Sequence, residues 1–215
     1  MDSRRQPKWI KPYFLIGLTG APGSGKSEAA RFFQEAGALV VQADQLAHEA
    51  LLDPQVRKTV TEEFGQSILG PGGEIERPRL GAIVFGKPDR LAKLNSILHP
   101  EVRKRFERLE KNARKDEVIV YEIPLLFETG MEERFHYIIV VSAPEKERLA
   151  RVQSRSSWTE EEFHARDTAQ MPLTEKEKRA DLVIINDTDR SALKEKIFEF
   201  YRILMEVKPD EEIGK

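Results

Sequence analysis

The eight residues Gly20-Ala21-Pro22-Gly23-Ser24-Gly25-Lys26-Ser27 constrain the fold more than any other part of this sequence. They match the pattern G-x-x-x-x-G-K-[ST] and stand between a short apolar run at 14–18 and a helical pattern. Glycines let such a loop curl so that successive backbone N–H groups point at a phosphate, and the following helix adds its positive dipole end. A glycine-rich turn without a ligand is disfavoured, because all four fixed positions and the strand–loop–helix context are present. This phosphate loop, Gly20–Ser27, therefore predicts a nucleotide site.

The side chains of the phosphate loop predict how a nucleotide is held. Lys26 supplies a movable cation for the β and γ phosphates, and Ser27 is predicted to ligate Mg2+. ATP is favoured over GTP, because the sequence contains neither an N-K-x-D guanine motif nor a D-x-x-G segment after a strand. The chain is too short for the further domains of motor proteins, which leaves phosphoryl transfer to a small molecule as the leading class. The residues predicted to contact the nucleotide here are Gly23, Ser24, Gly25, Lys26, Ser27 and Glu28.

Short apolar runs alternate with helical periods along the chain. Two helices follow from regular apolar spacing at Val102, Phe106 and Leu109 and again from Leu193 to Leu204. Capping boxes at Thr159/Glu162 and Thr174/Glu177 predict helix starts near 160 and 175. Buried parallel strands are predicted at 14–18, 38–41, 118–121, 137–141 and 182–185. Five such strands predict an α/β sheet.

Length and composition limit the remaining classes. A chain of 215 residues makes one globular unit that can carry an inserted subdomain. With 35 basic and 37 acidic residues, the net charge of −2 argues against a nucleic-acid binder that works by bulk positive charge. The absence of cysteine excludes disulfides and thiolate metal sites. The apolar run at 14–18 is too short for a signal peptide or a membrane span, so a soluble cytoplasmic protein is expected.

Asp44 follows the second predicted strand, at the sheet edge where ligands bind in open α/β folds. A carboxylate there can accept the proton of an attacking hydroxyl or hold a metal-bound water. The alternative is an ordinary helix N-cap, since a helical pattern begins directly after Asp44. The residues themselves favour neither interpretation.

Arg148, Arg151 and Arg155 are spaced to lie on one helical face after the fourth strand. Guanidinium groups on a closing lid can neutralise charge on a transferring phosphoryl group and exclude water. A solvated charged face is the usual meaning of such spacing, but the upstream phosphate loop favours the lid.

Three further polar residues each leave two interpretations open. Glu122 ends the third strand and either organises Mg2+ through water or is a polar strand end. His99, placed with Pro100 at a helix start, is either a packed or capping residue or a substrate contact. Asn186 follows the fifth strand and either contacts adenine or forms a turn.

Taken in order over residues 14 to 205, these features resemble the dephospho-coenzyme A kinase family. The phosphate loop alone is generic, whereas the ordered combination is specific. The parts that carry the resemblance are Gly17 to Ser27, Gln42-Ala43-Asp44, Leu98-His99-Pro100, Ile123-Pro124-Leu125-Leu126-Phe127-Glu128, Arg151 with Arg155, Gln170-Met171-Pro172, and Ala180-Asp181 with Asn186.

The resemblance implies transfer of the γ-phosphate of ATP to the ribose 3′-hydroxyl of dephospho-CoA, which gives CoA and ADP in the final step of coenzyme A biosynthesis. Asp44 becomes the candidate base, Arg151 the lid arginine on the phosphates, and Arg155 a nucleotide contact. Lys26 joins Asp44 and Arg151 as a catalytic residue. Candidate acceptor contacts, besides Asp44, are Arg77, Arg79, His99 and Arg103.

The resemblance also implies a P-loop kinase-like parallel five-stranded sheet of order 2-3-1-4-5 flanked by helices. A single kinase domain over 13–206 is expected between tails at 1–12 and 207–215. Its predicted parts are a core (13–53, 116–144 and 180–206), a helical acceptor-binding insertion (54–115) and a lid (145–179).

The chain departs from the family pattern at three positions: Gln42 in place of a frequent aspartate, Pro22 in place of a usual isoleucine, and Glu28 in place of a frequent threonine. The Gln42 change weakens the expectation that two acids share the metal. Two alternatives stay open: another small-molecule or nucleoside monophosphate kinase, and a nucleotide-binding module without catalysis.

Overall fold

The structure is a computed structural model that describes residues 12–84, 86–156 and 158–206. The predicted tails lie outside the described residues, apart from Pro12. The strands are β1 (Phe14–Gly20), β2 (Leu39–Gln42), β3 (Val118–Glu122), β4 (Tyr137–Ser142) and β5 (Leu182–Ile185). The helices are α1 (Lys26–Glu35), α2 (Ala43–Leu52), α3 (Pro54–Phe64), α4 (Arg77–Val84), α5 (Pro88–Lys111), α6 (Glu145–Arg155), α7 (Glu160–Thr168), α8 (Leu173–Arg179) and α9 (Arg190–Glu206).

The five strands form one sheet of order β2-β3-β1-β4-β5, which confirms the predicted architecture. β1 is central, and it runs parallel to β3 on one side and to β4 on the other. Every residue of β1 is buried, which explains its continuous apolar run rather than an alternating one. The phosphate loop therefore begins at the carboxyl end of a central, fully buried strand.

By its contacts the chain divides into two compact units, one made of residues up to Val41 and from Arg114 onward, and the other of Gln42–Ala113. In the first unit, α1 turns a stripe of small and aromatic side chains inward, and Phe32 and Phe33 are fully buried. The ring of Phe33 meets that of Phe200 from α9 edge-on, with 6.1 Å between the centroids. This packing fixes α1, whose first turn carries Lys26 and Ser27.

The second unit is helical. α2 packs on α3 and α5, and α4 packs on α5, around a core that includes Val60, Ile68 and Leu98. Asp53 caps α3, since its Oδ1 accepts from the N–H groups of Gln55 (2.9 Å) and Val56 (3.3 Å). By its contacts α2 belongs with these helices. An acceptor-binding function for 54–115 and a lid function for 145–179 stay predictions.

One predicted helix start is wrong at His99-Pro100. α5 runs through both residues from Pro88 to Lys111. Pro100 cannot donate the helical hydrogen bond to the carbonyl of Ser96. Leu94, Leu98 and Phe106 are buried on either side of that point, and their packing keeps the helix continuous.

Of the two predicted capping boxes, the first is confirmed. The Thr159 hydroxyl accepts from the N–H of Glu162 at 3.2 Å, and the Glu162 carboxylate accepts from the N–H of Thr159 at 2.9 Å. The second is wrong, because α8 begins at Leu173 and places Thr174 inside the helix. The Glu177 carboxylate accepts instead from the hydroxyl of Ser142 at the end of β4.

Among the helices that the structure describes, none is both long and apolar enough to span a membrane.

Candidate active site

Close packing determines where the phosphate loop needs glycine. Gly25 precedes α1 with φ 98°, and a Cβ there would lie 2.3 Å from Nδ2 of Asn186. Gly23 has φ 75°, and a Cβ there would lie 2.3 Å from the carbonyl oxygen of Arg148. Any other L-residue would be strained at both positions and would collide with its neighbour. The loop is therefore held tightly from outside by Asn186 and Arg148.

Asn186 supports the phosphate loop from the end of β5. Its side-chain Nδ2 donates to the carbonyl of Ser24 at 2.9 Å, and its backbone N–H donates to the carbonyl of Ser142 at 2.7 Å. The backbone carbonyl of Asn186 accepts from Nη2 of Arg151 at 2.9 Å. The residue is buried, and it also lines the cleft described below. It connects the loop to the sheet and to α6, so it is more than a residue of a turn.

Ser27 and Glu122, predicted from separate motifs, lie in direct contact. The Ser27 hydroxyl donates to Oε1 of Glu122 at 2.8 Å. Ser27 is exposed, whereas Glu122 is only 6% exposed at the end of β3. A hydroxyl that donates its proton keeps lone pairs for a cation, and these are the hard oxygen donors that Mg2+ takes.

The described residues contain no cluster of three or more His, Cys, Asp or Glu side chains that could hold a metal. A hydroxyl–carboxylate pair suits Mg2+ bound with a nucleotide, because that ion keeps several waters and takes other ligands from substrate phosphates. The residues present therefore fit the predicted metal.

The Lys26 ammonium reaches back across the phosphate loop and donates to the carbonyl of Ala21 at 2.9 Å. Lys26 is only partly exposed. A flexible stem of four methylenes lets such an ammonium follow charge that moves during a reaction.

A cleft of about 350 Å³ opens beside the phosphate loop. It brings together most of the predicted nucleotide contacts, including Glu28, which accepts hydrogen bonds from Arg31 and Arg190. Ser24, the remaining predicted loop contact, is fully buried and does not line the cleft. The residues that line the cleft are Gly23, Gly25, Lys26, Ser27, Glu28, Arg151, Val152, Ser154, Arg155, Asn186, Thr188, Arg190 and Leu193.

The three arginines of α6 have different environments. Arg155 is exposed at the cleft, and the Arg151 side chain is 33% exposed there. Nη2 of Arg151 is bound by Glu147 at 3.0 Å and by the carbonyl of Asn186, whereas its Nη1 is buried without a hydrogen-bond partner among the described residues. A buried donor of this kind needs an acceptor, which a ligand in the cleft can supply. Arg148, in contrast, is 4% exposed.

We expect Arg151→Lys to lower kcat about tenfold and to change the KM for ATP less, because an ammonium cannot reproduce the planar fork of a guanidinium. Steady-state kinetics with varied ATP measures both constants. Arg202→Lys is the matched control, since Arg202 also pairs with a glutamate four residues away, at 3.2 Å on the exposed side of α9. If the two variants behave alike, Arg151 is part of an ordinary charged face.

The segment after Glu122 is fixed by a buried lysine. Nζ of Lys176 donates to the carbonyl of Pro124 at 2.9 Å and lies 3.0 Å from Oε1 of Glu128. Burial lowers the pKa of Lys176, and the hydrogen bond from its ammonium to Glu128 opposes that shift. Thr19 of β1 donates to the same Pro124 carbonyl at 3.2 Å. These contacts explain the Pro-Leu-Leu-Phe-Glu run as a structural support for the end of β3.

The predicted acceptor contacts all lie in the helical unit. Asp44 is exposed in the first turn of α2 and is not its N-cap, which is Gln42, so the capping alternative is wrong. His99 and Arg103 are exposed four residues apart on α5, hence on one side of it. The hydrogen bond to Glu107 (2.7 Å) raises the pKa of Arg103. Arg77 and Arg79 are exposed in the first turn of α4, and Arg79 is bound by Glu76 at 2.6 Å.

Sequence reasoning missed the cleft residues that follow Asn186, and it also missed two on α6. Arg190 begins α9, and its guanidinium pairs with Glu28 and lies 5.0 Å from the ring centroid of Phe32. Thr188, Arg190 and Leu193 could have been found from their position just after the fifth strand and Asn186. The missed residues are Val152, Ser154, Thr188, Arg190 and Leu193.

Comparison with known proteins agrees with this geometry. The family model described as dephospho-CoA kinase matches residues 14–199, which is most of the chain. The chain belongs to the dephospho-CoA kinase family. The match spans all five strands and both the phosphate loop and α6, so the dephospho-CoA kinase assignment rests on the whole fold.

Individual relatives support the same assignment. A dephospho-CoA kinase of Carboxydothermus hydrogenoformans is 42% identical over 187 residues, which cover 85% of this chain and 90% of that protein. The crystal structure of TT1252 from Thermus thermophilus is 36% identical with a TM-score of 0.79, and the match covers 91% of this chain and 98% of that one. The dephospho-CoA kinase from Campylobacter jejuni, 24% identical, has a TM-score of 0.63 over 90% of this chain and 98% of its own, which supports the fold alone.

Proposed function

We propose that this protein transfers the γ-phosphate of ATP to the ribose 3′-hydroxyl of dephospho-CoA, giving CoA and ADP, the last step of coenzyme A biosynthesis. One observation carries the proposal: in this member of the dephospho-CoA kinase family, Lys26, Ser27 and Arg151 line one cleft at the phosphate loop, and Glu122 accepts the hydrogen bond of Ser27. Phosphoryl transfer depends mainly on positioning and charge stabilisation, which these groups supply.

In the proposed reaction the bond between the γ-phosphorus and the β–γ bridging oxygen breaks, and a bond from phosphorus to the ribose 3′-oxygen forms. Lys26 follows the charge that accumulates on the bridging oxygen, and the loop N–H groups hold the β-phosphate. Arg151 offers its unpartnered Nη1 to the transferring phosphoryl oxygens, and Arg155 adds charge at the cleft rim. ADP then leaves.

Ser27, with Glu122 behind it, is the proposed holder of Mg2+. When bound, the ion neutralises charge on the phosphate oxygens. Glu122 contributes by orienting the Ser27 hydroxyl, and we propose that it reaches the ion through water.

Asp44 is proposed to accept the proton of the attacking 3′-hydroxyl. It is exposed in the first turn of α2, so its carboxylate can receive a substrate group. We further propose that Arg77, Arg79, His99 and Arg103 contact the pyrophosphate or adenine of the acceptor. We also propose that residues 145–179 form a lid. The proposed enzyme is soluble and cytoplasmic, and it acts on two small-molecule substrates.

The test is ADP release with dephospho-CoA, AMP, CMP and adenosine, each at the same concentration, with the product identified by mass. We expect dephospho-CoA to be the best acceptor by about tenfold or more, because binding of its remote parts orients the hydroxyl for in-line attack. Adenosine lacks those parts and is expected to lose kcat as well as affinity.

A nucleoside monophosphate kinase would give the opposite ranking. A tenfold preference for AMP or CMP over dephospho-CoA overturns the proposed acceptor. ATP binding without acceptor-dependent ADP release would show a nucleotide-binding module instead.

A further inference from the structure

Arg148 is the arginine of α6 that the proposed reaction does not use. Its side chain makes a bidentate pair with Asp167 of α7, with Nη1–Oδ1 at 2.6 Å and Nη2–Oδ2 at 3.0 Å. Its guanidinium carbon also lies 5.3 Å from the ring centroid of Phe163, a fully buried residue of α7. Arg148 is thus a contact through which α6 holds α7, beside the His164–Glu145 pair at 3.8 Å.

The same guanidinium reaches the phosphate loop. Nη1 of Arg148 donates to the backbone carbonyl of Pro22 at 3.2 Å. The backbone carbonyl of Arg148 packs against Gly23 so closely that even a Cβ would not fit. One residue therefore contacts the loop at two adjacent positions and α7 at two more.

The hydrogen bond from Arg148 to the Pro22 carbonyl also sets the direction of the Gly23 N–H. The carbonyl of Pro22 and the N–H of Gly23 belong to one peptide unit, which is planar and trans, so the two groups point in opposite directions. A donor that holds the carbonyl outward holds the N–H inward. Gly23 lines the cleft, where that N–H can meet a phosphate.

Stability alone does not account for a buried arginine here. Well-packed apolar residues in place of a buried ion pair are often as stable, because two charges must be stripped of water. The bidentate geometry instead fixes the direction of the guanidinium, and hence of the N–H bond that reaches Pro22.

We propose that Arg148 is a positioning residue: it aims the Gly23 N–H at the nucleotide phosphates and makes the docking of α7 depend on the same loop. This inference rests on the proposed nucleotide cleft but not on the identity of the acceptor. Substitution of Arg148 and substitution of Asp167 should therefore both weaken nucleotide binding.

The experiment measures ADP binding by titration calorimetry, with Mg2+ present, for wild type, Arg148→Lys, Asp167→Asn and the double variant. We expect Arg148→Lys to weaken binding about tenfold, because a single ammonium cannot serve both Asp167 and Pro22. Asp167→Asn should weaken binding about threefold, since the neutral amide holds the guanidinium less firmly. The double variant should be no weaker than Arg148→Lys alone, as expected for two groups that act as one unit.

Two further readouts separate positioning from folding. In 15N–1H spectra the Gly23 amide signal should move in Arg148→Lys while signals from β3 stay in place. The KM for ATP should rise, whereas the KM for the acceptor stays within about twofold, a split that general loss of folded protein does not produce. Arg202→Lys, which alters an exposed pair on α9, should match wild type in all three measurements.

The proposal is overturned if folded Arg148→Lys binds ADP as wild type does. If Arg148→Lys does not fold, Asp167→Asn decides, and unchanged ADP binding by that variant overturns the proposal equally. Additive effects in the double variant also contradict it. Failure of wild type itself to bind ADP would refute the nucleotide cleft, and a wrong acceptor would leave these binding results as they are.

Discussion

Lys26→Ala is expected to lower kcat by roughly 10²–10³-fold or more, the cost of removing one preorganised charge from the site of a developing anion. A methyl group cannot follow charge onto the β–γ bridging oxygen, while the loop N–H groups that bind the ground state remain. ADP binding should therefore weaken much less than turnover falls. Acceptor-dependent ADP release at saturating ATP measures the effect.

The fold should survive this change. Within the contacts described above, the variant loses the 2.9 Å hydrogen bond to Ala21, which costs about 1 kcal/mol. Lys178→Ala is the control, because Lys178 is an exposed lysine of α8 paired with Glu175 at 2.7 Å. Wild-type turnover in Lys26→Ala would end the assignment of the phosphate loop as a catalytic element.

The sheet was predictable from the sequence because its three inner strands, β3, β1 and β4, are almost completely buried. Such strands are apolar along most of their length, and the five runs stand out between helical patterns. Those runs do not determine the strand order, since burial does not encode which strand lies beside which. The order followed from the resemblance of the ordered motifs to one family.

Helix boundaries were less predictable where tertiary contacts compete with local signals. Pro100 signals a helix start, yet α5 passes through it, with the buried leucines Leu94 and Leu98 before that point and the buried Phe106 after it. Thr174 and Glu177 have the spacing of a capping box, but Glu177 bonds to Ser142 on a distant strand instead. Ser142 cannot be identified from the sequence around Glu177, because the two residues are 35 positions apart.

The candidate site likewise contains residues that the sequence predicts and residues that it does not. Lys26 and Ser27 lie in a continuous motif, and Glu122 comes directly after the predicted strand at 118–121. All three could therefore be selected from the sequence. The difference among the three arginines of α6 was hidden, because equal spacing on a helix does not tell which side chain meets Asp167 and which meets the cleft. Arg190 was missed although it follows the fifth strand close to Asn186, because the sequence around it does not show its pairing with Glu28.

Asp44→Asn should reduce kcat by about 10²-fold or more, because an amide keeps the size of the carboxylate but cannot accept a proton. Asp44 is exposed in the first turn of α2, so the loss of its charge costs the helix only about 0.3–1 kcal/mol through the dipole. Thermal unfolding and ADP binding should therefore change little, whereas the rate of phosphate transfer at saturating substrates should fall.

Asp89→Asn provides the comparison for this last variant, because Asp89 is likewise an exposed acid in the first turn of its helix, α5. Both substitutions remove the same kind of favourable charge at a helix N-terminus, so their effects on unfolding should be alike. Only Asp44→Asn should lose turnover, and a raised pH should not rescue it, since the amide does not ionise and cannot become a base. Equal turnover in the two variants would leave Asp44 as an ordinary helix-terminal acid and would move the search for the base to another residue.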